Sequence, residues 1–211
     1  YGDHRDLHLS IRRQRQMCIR DRIKHADIIE KYATYDFTEA VPISIKKLFR
    51  LGGLIEGITR NFDKNGREWA RIKMECIGGR AEIIVFNEIF LRYKEIFQEG
   101  NIVFVSGKPE NRSETGNVKM LAENIVSLDR AEDQLSKHLN ILIDPNSIST
   151  KEIDELYKIA EQYQGDTRLV FHIPKNGRHQ KVLAHNVRVS TDSTFFKKLK
   201  KIYGRQNIWI E

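Results

Sequence analysis

The most constraining stretch of the chain runs from Leu48 to Leu128, where turn residues cut it into five strand-length runs and one helix-length run. The first is punctuated by glycine, Leu51-Gly52-Gly53-Leu54-Ile55-Glu56-Gly57-Ile58-Thr59-Arg60. A charged turn at Asp63-Lys64-Asn65-Gly66 leads into Glu68-Trp69-Ala70-Arg71-Ile72-Lys73-Met74-Glu75, whose apolar residues recur with period two. Ile77-Gly78-Gly79-Arg80 then turns the chain into Ala81-Glu82-Ile83-Ile84-Val85-Phe86. From Asn87 to Phe97 the spacing of Ile89, Phe90, Tyr93, Ile96 and Phe97 is helical, and Gly100 is suited to end that segment. Two more runs, Ile102 to Lys108 and Asn117 to Ile125, close the unit. Three strands, a helix and two strands is the order of an OB-fold, a five-stranded Greek-key barrel that binds oligonucleotides or oligosaccharides.

The second run carries the chemistry. A strand places successive side chains on opposite faces, so Ala70, Ile72 and Met74 are expected in the barrel core and Trp69, Arg71, Lys73 and Glu75 outside. A large aromatic flanked by two cations is what a single-stranded nucleic acid needs, because bases stack on the ring while the cations neutralise phosphates. Lys64 and Arg67 in the preceding turn, and Arg60 and Phe62 at its rim, extend this candidate groove. The loop Glu110 to Gly116, the second binding loop of an OB-fold, contributes Arg112. The expected nucleic-acid-binding set is therefore Arg60, Phe62, Lys64, Arg67, Trp69, Arg71, Lys73 and Arg112. Packing of Trp69 beneath a loop, with Arg71 and Lys73 as a solvated strand face, is the alternative reading of the same residues.

The remainder divides around this unit. Residues 1–22 show no apolar face at either period, and Gln16-Met17-Cys18-Ile19-Arg20-Asp21-Arg22 resembles a translated sequencing adapter, so the segment is set apart as non-native or disordered. Its six arginines and three aspartates carry +3 of the chain's net +7, which leaves +4 on the rest. Residues 23–47 read as a lead-in helix, Ile23 to Tyr35 with Ile28 and Ile29 as apolar contacts, and a linker. The OB-fold occupies 48–128 and a polar connector 129–137. From 138 to 211 a new alternation begins at Leu139, Ile141 and Ile143. A capping box, Ser149-Thr150-Lys151-Glu152, opens a helix with Ile153, Leu156, Tyr157, Ala160 and Tyr163 inward. Strands at Thr167 to Ile173 and Lys181 to Val189 flank a turn at Lys175-Asn176-Gly177. Thr191 or Asp192 caps a second helix with Phe195, Leu199 and Ile202 inward, and Asn207 to Ile210 is a last strand. The order βαββαβ predicts a small α/β sandwich with both helices on one face of the sheet. Lys197, Lys198, Lys200 and Lys201 line the outer side of its second helix.

No nucleophile elbow, P-loop, dinucleotide fingerprint or metal-type Cys/His spacing is present. Cys18 and Cys76 form neither a metal motif nor a disulfide framework. Glu152, Asp154 and Glu155 fall in a first helical turn, where acids favour the helix dipole over a two-metal centre. The chain is thus expected to be non-catalytic, with no metal, no cofactor, no small-molecule substrate and no membrane partner, in a reducing, cytoplasmic setting.

Several local runs resemble the C-terminal region of the alpha subunit of bacterial DNA polymerase III. They are Leu51-Gly52-Gly53-Leu54-Ile55, Asp63-Lys64-Asn65-Gly66-Arg67, Ala81 to Phe86 with Tyr93, Val105-Ser106-Gly107-Lys108 and Lys119-Met120-Leu121-Ala122-Glu123. Gln164-Gly165-Asp166-Thr167 is the clearest echo in the last unit. The resemblance covers about Ile43 to Glu211 and implies a piece of a replicative polymerase whose catalytic palm lies upstream. It implies that the OB-fold binds single-stranded template DNA, and that the last unit docks to the tau subunit of the clamp loader among other replisome proteins. Two other classes fit an OB-fold: an RNA-binding module like the anticodon domain of a class II aminoacyl-tRNA synthetase, and a protein-interaction module that binds no nucleic acid.

Overall fold

The computed structural model describes residues 25–35, 37, 49–110, 117–143, 150–175 and 178–211. Residues 25–32 form a helix, α1. Five strands follow, β1 (Arg50–Phe62), β2 (Glu68–Cys76), β3 (Gly79–Val85), β4 (Ile102–Pro109) and β5 (Asn117–Ser127), with α2 (Asn87–Arg92) between β3 and β4. They close into a barrel in the order β1-β2-β3-β5-β4. The chain divides into two compact units: among the described residues, one comprises 25–30 with 35–128, and the other 31–34 with 129–211.

Closure depends on β1, which serves two neighbours. Its first half pairs with β4 from Arg50↔Ser106 to Leu54↔Ile102, and Gly53 to Phe62 pair with β2. The β1–β2 register slips between Ile55 and Gly57, and such a bulge bends and twists a strand. A second slip, opposite Ser106/Gly107, leaves Glu123 as an extra residue in β5 and bends that strand against β4. A Cβ at Gly107 would lie 2.0 Å from the Leu121 carbonyl oxygen, so only glycine fits there without moving backbone. The strand alternation holds through the sheet. Ala70, Ile72 and Met74 of β2, Ala81, Ile83 and Val85 of β3, and Val118, Met120 and Ala122 of β5 all point into one core.

The plug at the end of the barrel is shorter than the apolar spacing predicts. Helix α2 stops at Arg92, and Tyr93 leaves helical geometry at φ −116°. The next residues are captured by tertiary partners instead. Tyr93 Oη donates to Asn124 Oδ1 at 2.5 Å, and Asn101 Nδ2 donates to the Ile96 carbonyl at 2.9 Å. Phe97 swings inward to stack on Phe90, with ring centroids 5.6 Å apart. Both rings are core, as expected.

In the second unit, a short 3-10 turn (Leu128–Arg130) and α3 (Ala131–Leu135) precede β6 (His138–Leu142), α4 (Thr150–Gln162), β7 (Gln164–Lys175), β8 (Arg178–Val189), α5 (Ser193–Tyr203) and β9 (Ile208–Ile210). This is the anticipated βαββαβ order, with the sheet ordered β8-β7-β6-β9. β6 is parallel to β7 and antiparallel to β9. The capping box and the turn centred on Asn176 and Gly177 lie partly or wholly outside the described residues. Asp192 caps α5, accepting from the Thr194 amide at 2.7 Å.

Helix α4 buries a narrower stripe than its spacing suggests, and α5 a shifted one. In α4, Leu156 and Ala160 are buried, whereas Ile153 and Tyr157 are about half exposed at 48% and 53%. Tyr163, just beyond α4, stacks on Phe195 of α5 at 5.0 Å, so the end of one helix meets the start of the other there. In α5, Phe196 joins Phe195 and Leu199 inside, while Ile202 is left exposed in the last turn. Two of the lysines on this helix lie along aromatic rings. Lys198 donates to Tyr163 Oη at 2.8 Å and Lys200 lies 4.4 Å from the centre of the Phe196 ring.

Two stability predictions follow from the barrel core. Ile83→Ala, at a fully buried position, should cost about 2–5 kcal/mol in urea unfolding. Burial first, and then the charges of Glu75 and Glu56, push the Cys76 thiol up to about 12. In a Cys18→Ser background the native protein should therefore resist alkylation at pH 8 and react once unfolded. The same shift contributes stability that is fully present below pH 9.0 and is lost as pH rises towards about 12, because the unfolded thiol ionises first.

Candidate nucleic-acid interface

The outer face of β2 projects Trp69, Arg71 and Lys73 together, as alternation against the buried Ala70, Ile72 and Met74 requires. Arg71 and Lys73 are exposed and Trp69 is half-buried. The Arg71 guanidinium carbon lies 5.9 Å from the centre of the Trp69 ring. That cation–π contact is worth about 0.5–1 kcal/mol at an exposed site and orients the guanidinium along the strand.

Register extends this face across three strands. Arg71 stands opposite Ile84 of β3, and Ile84 opposite Leu121 of β5. The next row outward runs Lys73, Glu82, Lys119. Glu82 Oε1 lies 3.6 Å from Arg71 Nε and 3.9 Å from Lys119 Nζ. Exposed ion pairs of this length contribute about 0–1 kcal/mol, so both cations can exchange the carboxylate for another anion. Among the described residues Lys73 makes no ion pair within 4.0 Å.

The β1–β2 turn borders the face and is internally tied. Asp63 accepts from the amides of Asn65 and Arg67, both at 2.8 Å, and from Arg67 Nε at 2.8 Å. Gly66 occupies the left-handed region at φ 74°, where a side chain would be strained. The Arg67 amide, ahead of the Arg67 side chain and the Asn65 amide, holds the Asp63 carboxyl below the usual carboxylate range. Arg67 is consequently a member of the turn's own framework, while Lys64 projects from its tip as an exposed cation.

Other candidates lie elsewhere. Arg60 pairs in register with Ala70, which puts it on the other side of β1 from Thr59 and Arg71. Its guanidinium lies over the Phe90 ring at 5.7 Å, as does Lys94 Nζ, so Arg60 covers the plugged end of the barrel. Phe62, two residues on, shares that side and is 72% exposed. Arg112 lies outside the described residues.

Two further side chains on this face escape a reading of the second run alone. Phe86 continues β3 in extended geometry, φ −75° and ψ 164°, one residue beyond the Val85–Ala70 pair. Alternation from the buried Val85 turns Phe86 outward on the Trp69 side, where it is 56% exposed. A signal for it exists, since an aromatic that continues the outward positions of a strand has no core to enter. Lys119 cannot be found that way, because its place beside Glu82 depends on parallel pairing of β3 with β5.

Among the described residues no three His, Cys, Asp or Glu side chains cluster as metal ligands, and no helix is long and apolar enough to cross a membrane. No protein-family model matches the chain. Curated relatives do. The chain is 23% identical over 185 residues to the DNA polymerase III subunit alpha of Vibrio cholerae, covering 87% of this chain and 16% of that protein. The corresponding subunit of Bacillus subtilis is 21% identical over 78% of this chain and 14% of its own length. That of Escherichia coli K12 is 20% identical over 81% and 15%. The resemblance carried by the residues is thereby borne out, and the chain spans only 14–16% of the length of these relatives. Among solved structures, mitochondrial single-stranded DNA binding protein Rim1 of Saccharomyces cerevisiae aligns at TM-score 0.31 with 18% identity, over 38% of this chain and 94% of Rim1. DNA binding domain A of replication protein A from the same organism aligns at TM-score 0.33 with 15% identity, over 46% and 93%.

The tied turn makes its own prediction. Asp63→Asn should speed hydrogen exchange of the Asn65 and Arg67 amides at neutral pH. In the unsubstituted chain the same loosening should appear only on acidification, because a depressed carboxyl stabilises above its ordinary value of 3.8 and that contribution is lost as pH falls through its folded value.

Proposed function

We propose that the barrel binds single-stranded DNA along the outer face of β2, β3 and β5, and that the chain acts in DNA replication as a non-catalytic, C-terminal piece of a DNA polymerase III alpha subunit. The observation that carries the reading is one face on which Trp69 and the outward Phe86 offer ring surface while Arg71, Lys73 and Lys119 offer positive charge. Bases are sequence-tolerant stacking partners and their phosphates are held by mobile cations, which suits a strand passing through rather than a fixed sequence. The similarity to polymerase alpha subunits supports the same conclusion from an independent direction.

In this reading Trp69 and Phe86 stack bases, while Arg71, Lys73, Lys119 and the loop residue Lys64 meet phosphates. Arg67 shapes the loop, Arg112 is a further phosphate contact, and Arg60 and Phe62 border the site. The second unit docks to the tau subunit of the clamp loader, within a bacterial cytoplasm. Its exposed apolar side chains Ile153, Tyr157, Val182 and Leu183 support a role in protein contact. Failure of the chain to bind purified tau subunit would overturn that part alone.

Fluorescence of Trp69 in a Trp209→Phe background, titrated with oligo-dT at several salt concentrations, tests the groove. Quenching with an affinity that falls as salt rises is the expected result. Trp69→Ala should weaken binding by about tenfold, in line with about 1–3 kcal/mol for a stacked base, and Arg71→Glu should weaken it and flatten its salt dependence. Folded variants with unchanged affinity would remove the groove assignment, and tighter binding of oligo-U than oligo-dT would favour an RNA ligand.

A further inference from the structure

Glu82 is the acid at the centre of this face. It stands directly opposite Lys73 on one side and Lys119 on the other, and its Oε1 receives both Arg71 and Lys119. Its side chain is 26% exposed against 47% and 48% for the two cations, so the carboxylate lies lower than the groups that surround it. One oxygen held by two cations from neighbouring strands is the arrangement a bound phosphate oxygen would have. We infer that Glu82 is a built-in competitor of the nucleic-acid backbone, occupying in the free protein the place a phosphate takes in the complex. The inference rests on the reading of this face as a single-strand site and adds how tightly, and how reversibly, that site holds its ligand.

The physical consequence is direct. A strand lying across β2, β3 and β5 must draw Arg71 and Lys119 away from Glu82, and the released carboxylate then repels the incoming phosphate. Each effect weakens binding, and neither depends on base identity. The carboxylate also occupies cations that would otherwise neutralise phosphates, which reduces the number of counterions released from the strand on binding. A face built this way grips loosely and lets go readily, as a template that must slide requires.

Glu82→Gln keeps the shape and removes the charge. In the 211-residue chain it should tighten oligo-dT binding by about three- to tenfold, the effect of one charge within several ångströms at intermediate dielectric. The slope of log affinity against log salt should steepen by about 0.7 for each phosphate newly neutralised. Glu161→Gln removes the same charge from an exposed position on α4 of the second unit and should leave both quantities nearly unchanged. In an Arg71→Ala background the gain should shrink, because the Arg71–Glu82 contact is gone while Lys119 and the direct repulsion of the phosphate remain. Weaker binding by a Glu82→Gln protein of unaltered melting temperature would make Glu82 a positioner of Arg71 and overturn the inference, as would an unchanged affinity and slope. Absence of binding by the unsubstituted chain would overturn the single-strand reading itself, and this inference with it.

Discussion

Everything in the first unit depends on β1 having two partners. A five-stranded sheet has two edges, and edges expose rows of unsatisfied backbone groups unless something pairs them. Here the bulge between Ile55 and Gly57 bends one strand so that its start completes the pairing with β4 and its end the pairing with β2. With the sheet closed, inward positions of every strand share one core, and outward positions of β2, β3 and β5 become a continuous surface. The candidate interface is the outside of the same closure that makes the core.

That coupling explains why part of the site is legible in the amino-acid sequence and part is not. Alternation along β2 is a local property, so eight residues suffice to separate Trp69, Arg71 and Lys73 from Ala70, Ile72 and Met74. Arg60 looks equivalent because it is near the turn, but its register opposite Ala70 assigns it to the plugged end, and register is set by two strands together. Arg67 reads as a free cation from its position alone, yet Asp63, four residues earlier, holds both its amide and its guanidinium. The broad stripe expected on α4 fails for a related reason. Helical spacing shows which residues could face a sheet, and the extent of the sheet decides how many do, so Leu156 and Ala160 are covered while Ile153 and Tyr157 are not.

Charge on the outer face is more evenly matched than the chain's net +7 suggests. Glu82 answers Arg71 and Lys119, Glu56 answers Arg80, and Glu123 answers Lys108. Long-range attraction of this face for a polyanion is correspondingly modest.

The parallel contact between β3 and β5 has a consequence for how the chain acquires its shape. It joins residues 80–84 to residues 117–121, whereas β1, β2 and β3 are linked by short turns. Hairpins between near neighbours form early, and pairing across a long intervening segment must wait for that segment to be ordered or synthesised. During translation the three-stranded meander therefore exists for a time with the outer edge of β3 uncovered, as an open sheet of high β-propensity. The order of strands along the gene thus determines a window of exposure during synthesis, and that window ends when Leu121 reaches the edge of β3.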